Sequence, residues 1–276
     1  MLRAASPAGG PRRRLSGPGF LVLLAFLLAG LAALFALHLL AFGLADGALV
    51  PVWLLLAGVI GFGLLGQARA RRRLFLAAHV VRSSSLQRIL RGGALMALIN
   101  ALKGLAFAAL LILFVVRQEQ TLGWQLLLLH LPIAVLLTVA LRRLLYGHLA
   151  DPFLPIAVWR LGLIGNAVLL LPAFALAALH GTYPDFADLP LVAAVSVEIQ
   201  RQVAESALLL PGLQLVAAVD AVAWWLAQQW LPVAGLSLLQ LAGWLLLFGV
   251  NGLFLWSYLL YLAGLASIAT RLLEKE

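Results

Sequence analysis

From Phe20 onward, apolar runs of about 20 residues, long enough to cross a bilayer core, alternate with short polar connections. Seven such runs are read from the pattern: Phe20–Phe42, Leu49–Gly66, Gly92–Val116, Leu122–Leu141, Phe153–Leu179, Leu213–Trp230 and Leu236–Ile268. Hydrocarbon offers the backbone no hydrogen-bond partner, so each run has to satisfy its own amides as a helix. Barrel strands would need polar and apolar residues to alternate with a period of two, and no run does so. The pattern predicts an all-α fold: a polytopic integral membrane helical bundle of seven transmembrane helices plus one amphipathic or eighth helix. The last run is longer than the bilayer core requires and needs tilt or an overhang.

The stretch Leu189–Leu210 fits this scheme least well. It sets Glu198, Arg201, Gln202 and Glu205 among alanines, valines and leucines. At 100° per residue these four fall within one arc of about 100°, a polar stripe on an apolar helix. Each charge costs about 2.5–3.5 kcal/mol at a helix centre, so the segment is not expected to insert by itself. As an interfacial amphipathic helix it leaves seven spans and an outside C-terminus. Crossing with its stripe sealed against the bundle, it makes eight spans and returns the C-terminus inside. The interfacial arrangement is preferred.

Charge sets the orientation. The leader carries Arg3, Arg12, Arg13 and Arg14. The second connection carries Arg69, Arg71, Arg72, Arg73, Arg82, Arg88 and Arg91, and the fourth carries Arg142 and Arg143. These thirteen of the 19 basic residues lie in alternate connections, as the positive-inside rule requires for a cytoplasmic N-terminus. The other connections hold Asp46, then Arg117 with Glu119, then Asp185 and Asp188. The arginines before Phe20 also suggest a signal peptide, but the run that follows is longer than a cleaved segment of about 7–15 residues, so an uncleaved first span is expected. The domain scheme is a basic cytoplasmic leader over 1–19, a bundle over 20–268 and a short polar tail over 269–276. Within the bundle lie an Arg-rich cytoplasmic loop, 67–91, and the amphipathic segment 189–210. The location expected is the bacterial inner (plasma) membrane, multi-pass.

The composition agrees, with 64% hydrophobic and 11% charged residues and a mean hydropathy of +1.07. The net charge of +9 is accounted for by topology, so no nucleic-acid partner is expected. Arg69, Arg71, Arg72 and Arg73 are placed to hold anionic lipid headgroups at the cytoplasmic face, at about 1 kcal/mol per basic residue. The absence of cysteine excludes disulfides, thiolate metal sites and thiol nucleophiles. No phosphate loop, His-Glu-x-x-His or nucleophile elbow is present. The five histidines are scattered, so no catalytic residue, metal site or cofactor is assigned, and an enzyme is disfavoured.

Ionisable groups at bilayer depth are the remaining clues, because each must be paired, hydrated or neutral. Lys103 is central in the third run, about 16–18 Å from either end at the helical rise, too deep to snorkel. Asp220 is central in the sixth, so an Asp220–Lys103 ion pair is the contact expected first. His130 lies two residues before Pro132, which interrupts the helical hydrogen bonding, and imidazole titrates near neutrality. With Glu198, Arg201 and Glu205 these residues are the candidates for an ion or proton pathway; their bland alternative is structural pairing. Glu198 and Arg201, three residues apart, can also pair locally. Asn100, Asn166 and Asn251 are expected to make polar helix contacts.

Two function classes follow. The first is a transporter or channel component moving protons or a small ion or solute. The second is a non-catalytic membrane anchor or scaffold subunit of a larger membrane complex, in which the same groups join helices while the 198–205 stripe and the basic loop dock partners. Homo-oligomers or other membrane subunits are the partners either class allows.

Overall fold

Each long apolar run of this chain forms a helix, as hydrocarbon demands. The structure, a computed structural model, describes residues 17–79, 93–118, 121–150, 152–180, 185–186, 188–230 and 238–273. Among them are eight α-helices and no β-strand: α1 Gly17–Leu40, extended by a 3₁₀ turn at Ala41–Gly43, α2 Asp46–His79, α3 Ala94–Val116, α4 Thr121–Leu145, α5 Leu154–His180, α6 Leu191–Gln200, α7 Leu209–Trp230 and α8 Leu238–Leu273. All except α6 are long and apolar enough to cross a membrane. The protein is a multi-pass membrane protein built as an all-α bundle.

Helices α1 to α5 run alternately up and down. Trp53 of α2 donates to the Leu105 carbonyl of α3 at 2.9 Å, and a Cβ on Gly104 of α3 would sit 2.6 Å from the Ala57 carbonyl oxygen of α2. His38, near the end of α1, bonds the Val115 carbonyl near the end of α3 at 3.0 Å. His130 of α4 meets Asn166 of α5. The ends at Gly17, His79, Ala94, Leu145 and Leu154 therefore share one face, the near face. Residues 41–45 and 117–118 and the end of α5 lie on the far face.

Helix α8 is the axis around which these five pack. From Phe254 to Leu265 it is buried almost without interruption, and it packs against α1, α2, α3, α5 and α7 and meets α4 through Tyr258. A helix apolar on every side can face lipid or other helices; over this stretch it is other helices that cover it. Two close approaches show how it fits. Tyr261 donates to the Gly30 carbonyl of α1 at 3.3 Å. A Cβ on Gly63 of α2 would lie 2.9 Å from the Gly264 Cα, and one on Gly264 would overlap the Val59 carbonyl oxygen, so these two backbones are in contact. Such small-residue seams are how helices join where no hydrophobic effect drives them together.

Three expectations are corrected. The helix of the second run does not stop at Gly66; α2 continues to His79, so Arg69, Arg71, Arg72 and Arg73 are helical rather than part of a loop. Nothing in that stretch breaks the helix, and arginine and alanine favour it. The rest of the proposed basic loop, 80–91, lies outside the described residues. The amphipathic segment 189–210 is not one helix either. α6 ends at Gln200, and the chain is pulled away where the Glu205 amide donates to the Phe42 carbonyl at 3.1 Å. The stripe is thereby broken: Glu198 remains on α6, while Arg201, Gln202 and Glu205 follow it. Lastly, α8 extends to Leu273, past the expected end at Ile268.

Candidate functional site

Two polar clusters are built into the bundle. The first is internal. His130 on α4 and Asn166 on α5 are both buried. The Asn166 side-chain amide donates to the Gly162 carbonyl at 2.7 Å, which turns its oxygen toward His130 Nε2 at 2.9 Å. With that oxygen as the acceptor, Nε2–H is the donor of this hydrogen bond. Its Nδ1 is buried without a hydrogen-bond partner among the described residues. The Tyr258 ring of α8 packs with its centroid 5.9 Å from the imidazole, and its hydroxyl donates to the Leu127 carbonyl at 3.4 Å. The cluster thus ties α4, α5 and α8 together. Helix α4 runs through Pro132 without a break.

The second cluster lies on the far face. Arg117, at the C-cap of α3, forms an ion pair with Asp220 of α7, and its guanidinium sits 5.5 Å from the centre of the Phe254 ring. Asp46, in the first turn of α2, accepts from the Ser206 hydroxyl and from the Leu208 amide at 3.2 Å. The Leu209 amide donates to Ser206 Oγ at 3.0 Å. Ser206 is accordingly the N-cap of α7, satisfying one of the amides a helix start leaves open. Beside them, Phe35 and Trp124 meet edge to face at 5.0 Å.

The expected Lys103–Asp220 pair is not formed. Asp220 is held by Arg117, and Lys103 is exposed on the outside of α3, on the same face as Leu95, Leu98, Ile99 and Leu102. Matching the two by depth assumed that both runs cross the bilayer through the same interior. Glu198 pairs with Arg201, and Glu205 is exposed. The six pathway candidates are therefore dispersed over α3, α4, α6, α7 and the α6–α7 connection. Asn100 bonds within its own helix, to the Met96 carbonyl at 2.7 Å, while Asn251 is half-buried on α8. At the near face, the Arg71 guanidinium stacks 5.7 Å from the Trp159 ring.

Among the described residues no three His, Asp or Glu side chains are grouped to hold a metal ion. Arg117 and Asp46 were not singled out in the sequence because both lie in polar connections, where charge is ordinary. Tyr258 and Tyr261 lay inside an apolar run whose periodicity gives no sign of which helix is central. The chain matches no family model, and comparison with characterised proteins and with solved structures gives no match.

Proposed function

We propose that this protein is a non-catalytic membrane subunit that anchors a partner within the bilayer. The observation that carries the reading is Lys103, a cation about 13 Å along α3 from its near-face end, turned outward on a surface that is otherwise apolar. A cation at that depth is costly unless a carboxylate meets it. No acidic residue of the described chain pairs with it. The fitting partner is a transmembrane helix carrying Asp or Glu at matching depth. The other ionisable candidates support the same view, since Asp220, His130 and Glu198 are engaged in contacts that hold this chain together. The near face, which gathers Arg69, Arg71, Arg73, Arg142, Arg143 and Arg271, is the cytoplasmic side of a bacterial inner membrane in this proposal, and its arginines meet anionic headgroups.

The test is Lys103→Leu, followed by native electrophoresis of gently solubilised membranes. The expected result is unchanged abundance with the protein shifted from a larger assembly to its own mass. An assembly of unchanged size, or a wild type already at monomer mass, overturns the reading. One observation favours the alternative of proton movement, the unpartnered Nδ1 of His130. It predicts a pH-driven flux in liposomes holding the purified protein that His130→Gln abolishes.

A further inference from the structure

Helix α7 has the length of a crossing helix, about 33 Å at the helical rise, and the apolarity of one. Its contacts run the other way. It starts at the far face, where Asp46 and Phe42 tether residues 205–208. A Cβ on Gly212 would lie 3.0 Å from the Leu113 side chain of α3. Eight residues later Asp220 is bound to Arg117, farther out along α3. A helix descending from the far face runs antiparallel to α3, and by residue 220 it would be level with about residue 105. The end of α7 is fixed in the same region. Trp225 donates to the Leu189 carbonyl at 2.7 Å, and the Gln228 side chain accepts from the Phe186 amide at 2.7 Å. Phe186 is only six residues beyond the far end of α5, within about 20 Å of chain.

Helix α8 gives an independent constraint. Phe254 is level with Phe114 and Phe174, at the far ends of α3 and α5, whereas Arg271 stacks 4.4 Å from the Phe62 ring at the middle of α2 and reaches Gly66 on its near side. α8 therefore runs from far to near. Its first residue, Leu238, is sixteen positions before Phe254, about 24 Å farther out along the axis. Had α7 ended on the near face, residues 231–237 would have to span more than about 50 Å, twice what so short a segment can reach.

We infer that α7 does not cross the membrane: α6 and α7 form a hairpin seated on the far leaflet, six helices cross, and α8 returns the chain to the face where α1 begins. The surface this hairpin offers is lipid-binding. Val192, Val203, Leu208 and Leu215 are exposed at 80%, 73%, 59% and 67%, while Phe186, Ala194 and Ala221 close its interior. Apolar side chains bordered by Glu198, Arg201 and Glu205 fit the boundary between headgroups and acyl chains. The inference rests on contacts alone and is independent of the function proposed above.

The lack of cysteine makes single-cysteine labelling clean. Asp188→Cys, Gln229→Cys and Leu272→Cys are treated with a membrane-impermeant maleimide on sealed vesicles of both orientations. The first two should react from one side and Leu272→Cys only from the other. Reaction of Gln229→Cys from the Leu272 side, or of Leu272→Cys from the Asp188 side, overturns the inference. Should a variant not accumulate, sided reporters fused to each end of the wild-type chain decide it: both active on one face is the expected result, and opposite faces overturns it. For the lipid contact, a fluorophore on Leu215→Cys should be quenched more by nitroxide high on the acyl chain than by nitroxide near its end. No quenching, or the reverse order, refutes the seat on the leaflet.

Discussion

Helices α7 and α8 are equally apolar over their best stretches, yet they occupy opposite situations. α8 is enclosed by other helices, and from Phe254 to Leu265 almost no side chain reaches the surface. α7 packs against α6, α8 and the far end of α3 and leaves Leu215 exposed. Hydropathy measures only the cost of leaving water. What a helix can pack against is set by shape and by the partners its polar groups require. α8 has Gly264 facing Gly63, and hydroxyls at Ser257, Ser267 and Thr270 that fold back onto their own helix carbonyls at 2.6–2.9 Å. α7 carries Asp220, whose counterion waits at the end of α3.

Glycine substitutions in the two helices should separate them most. Gly264→Val should cost about 3 kcal/mol, because the new side chain meets the Val59 carbonyl and not a flexible group. The readout is the midpoint of thermal unfolding in detergent. A stable Gly264→Val protein would mean that the α2–α8 seam is not as close as described. Next comes the polar contact beneath α8: Asn166→Ala leaves His130 Nε2–H buried without an acceptor and should cost about 2 kcal/mol by the same assay. Asp220→Asn removes the ion pair with Arg117 at a partly exposed rim, side chains 29% and 18% accessible, and should cost about 1 kcal/mol, less than loss of a buried pair would. Replacing both Arg117 and Asp220 by leucine should recover most of that loss. Gly212→Ala should change stability least, within about 0.5 kcal/mol, since its methyl meets only the movable Leu113 side chain and alanine favours helix. A large loss there would mean that α7 is packed as tightly as α8.

The apolar helices were legible to within about five residues except at the end of α2, which continues to His79, because a run of apolar residues has one stable backbone solution in lipid. What was not legible depended on neighbours. Asp220 sits at the middle of its run, yet it pairs with Arg117 at the end of α3. Its partner Arg117 lies in a connection, and only the course of α7 brings them together. The polar stripe of 198–205 had helical spacing, but a tether from Glu205 to Phe42, 163 positions earlier in the chain, ends the helix before the stripe is complete. His130 was singled out by its chemistry and Asn166 by its polarity. That they meet follows from the register of α4 against α5, which no single run encodes.

The central position of α8 has a consequence for biosynthesis. The side chains that fill the middle of the bundle are made about 80 residues after α5 is finished, which at 5–20 residues per second is about 4–16 s. Throughout that interval α1 to α5 stand in the membrane around an unfilled centre, with the Gly63 surface and the Gly30 carbonyl facing lipid or one another. A messenger cut short before codon 254 would leave α1 to α5 without the buried α8 side chains that their core packs against. The bundle therefore completes its folding only once α8 has been made, and products stalled before it should be conspicuous to membrane proteases.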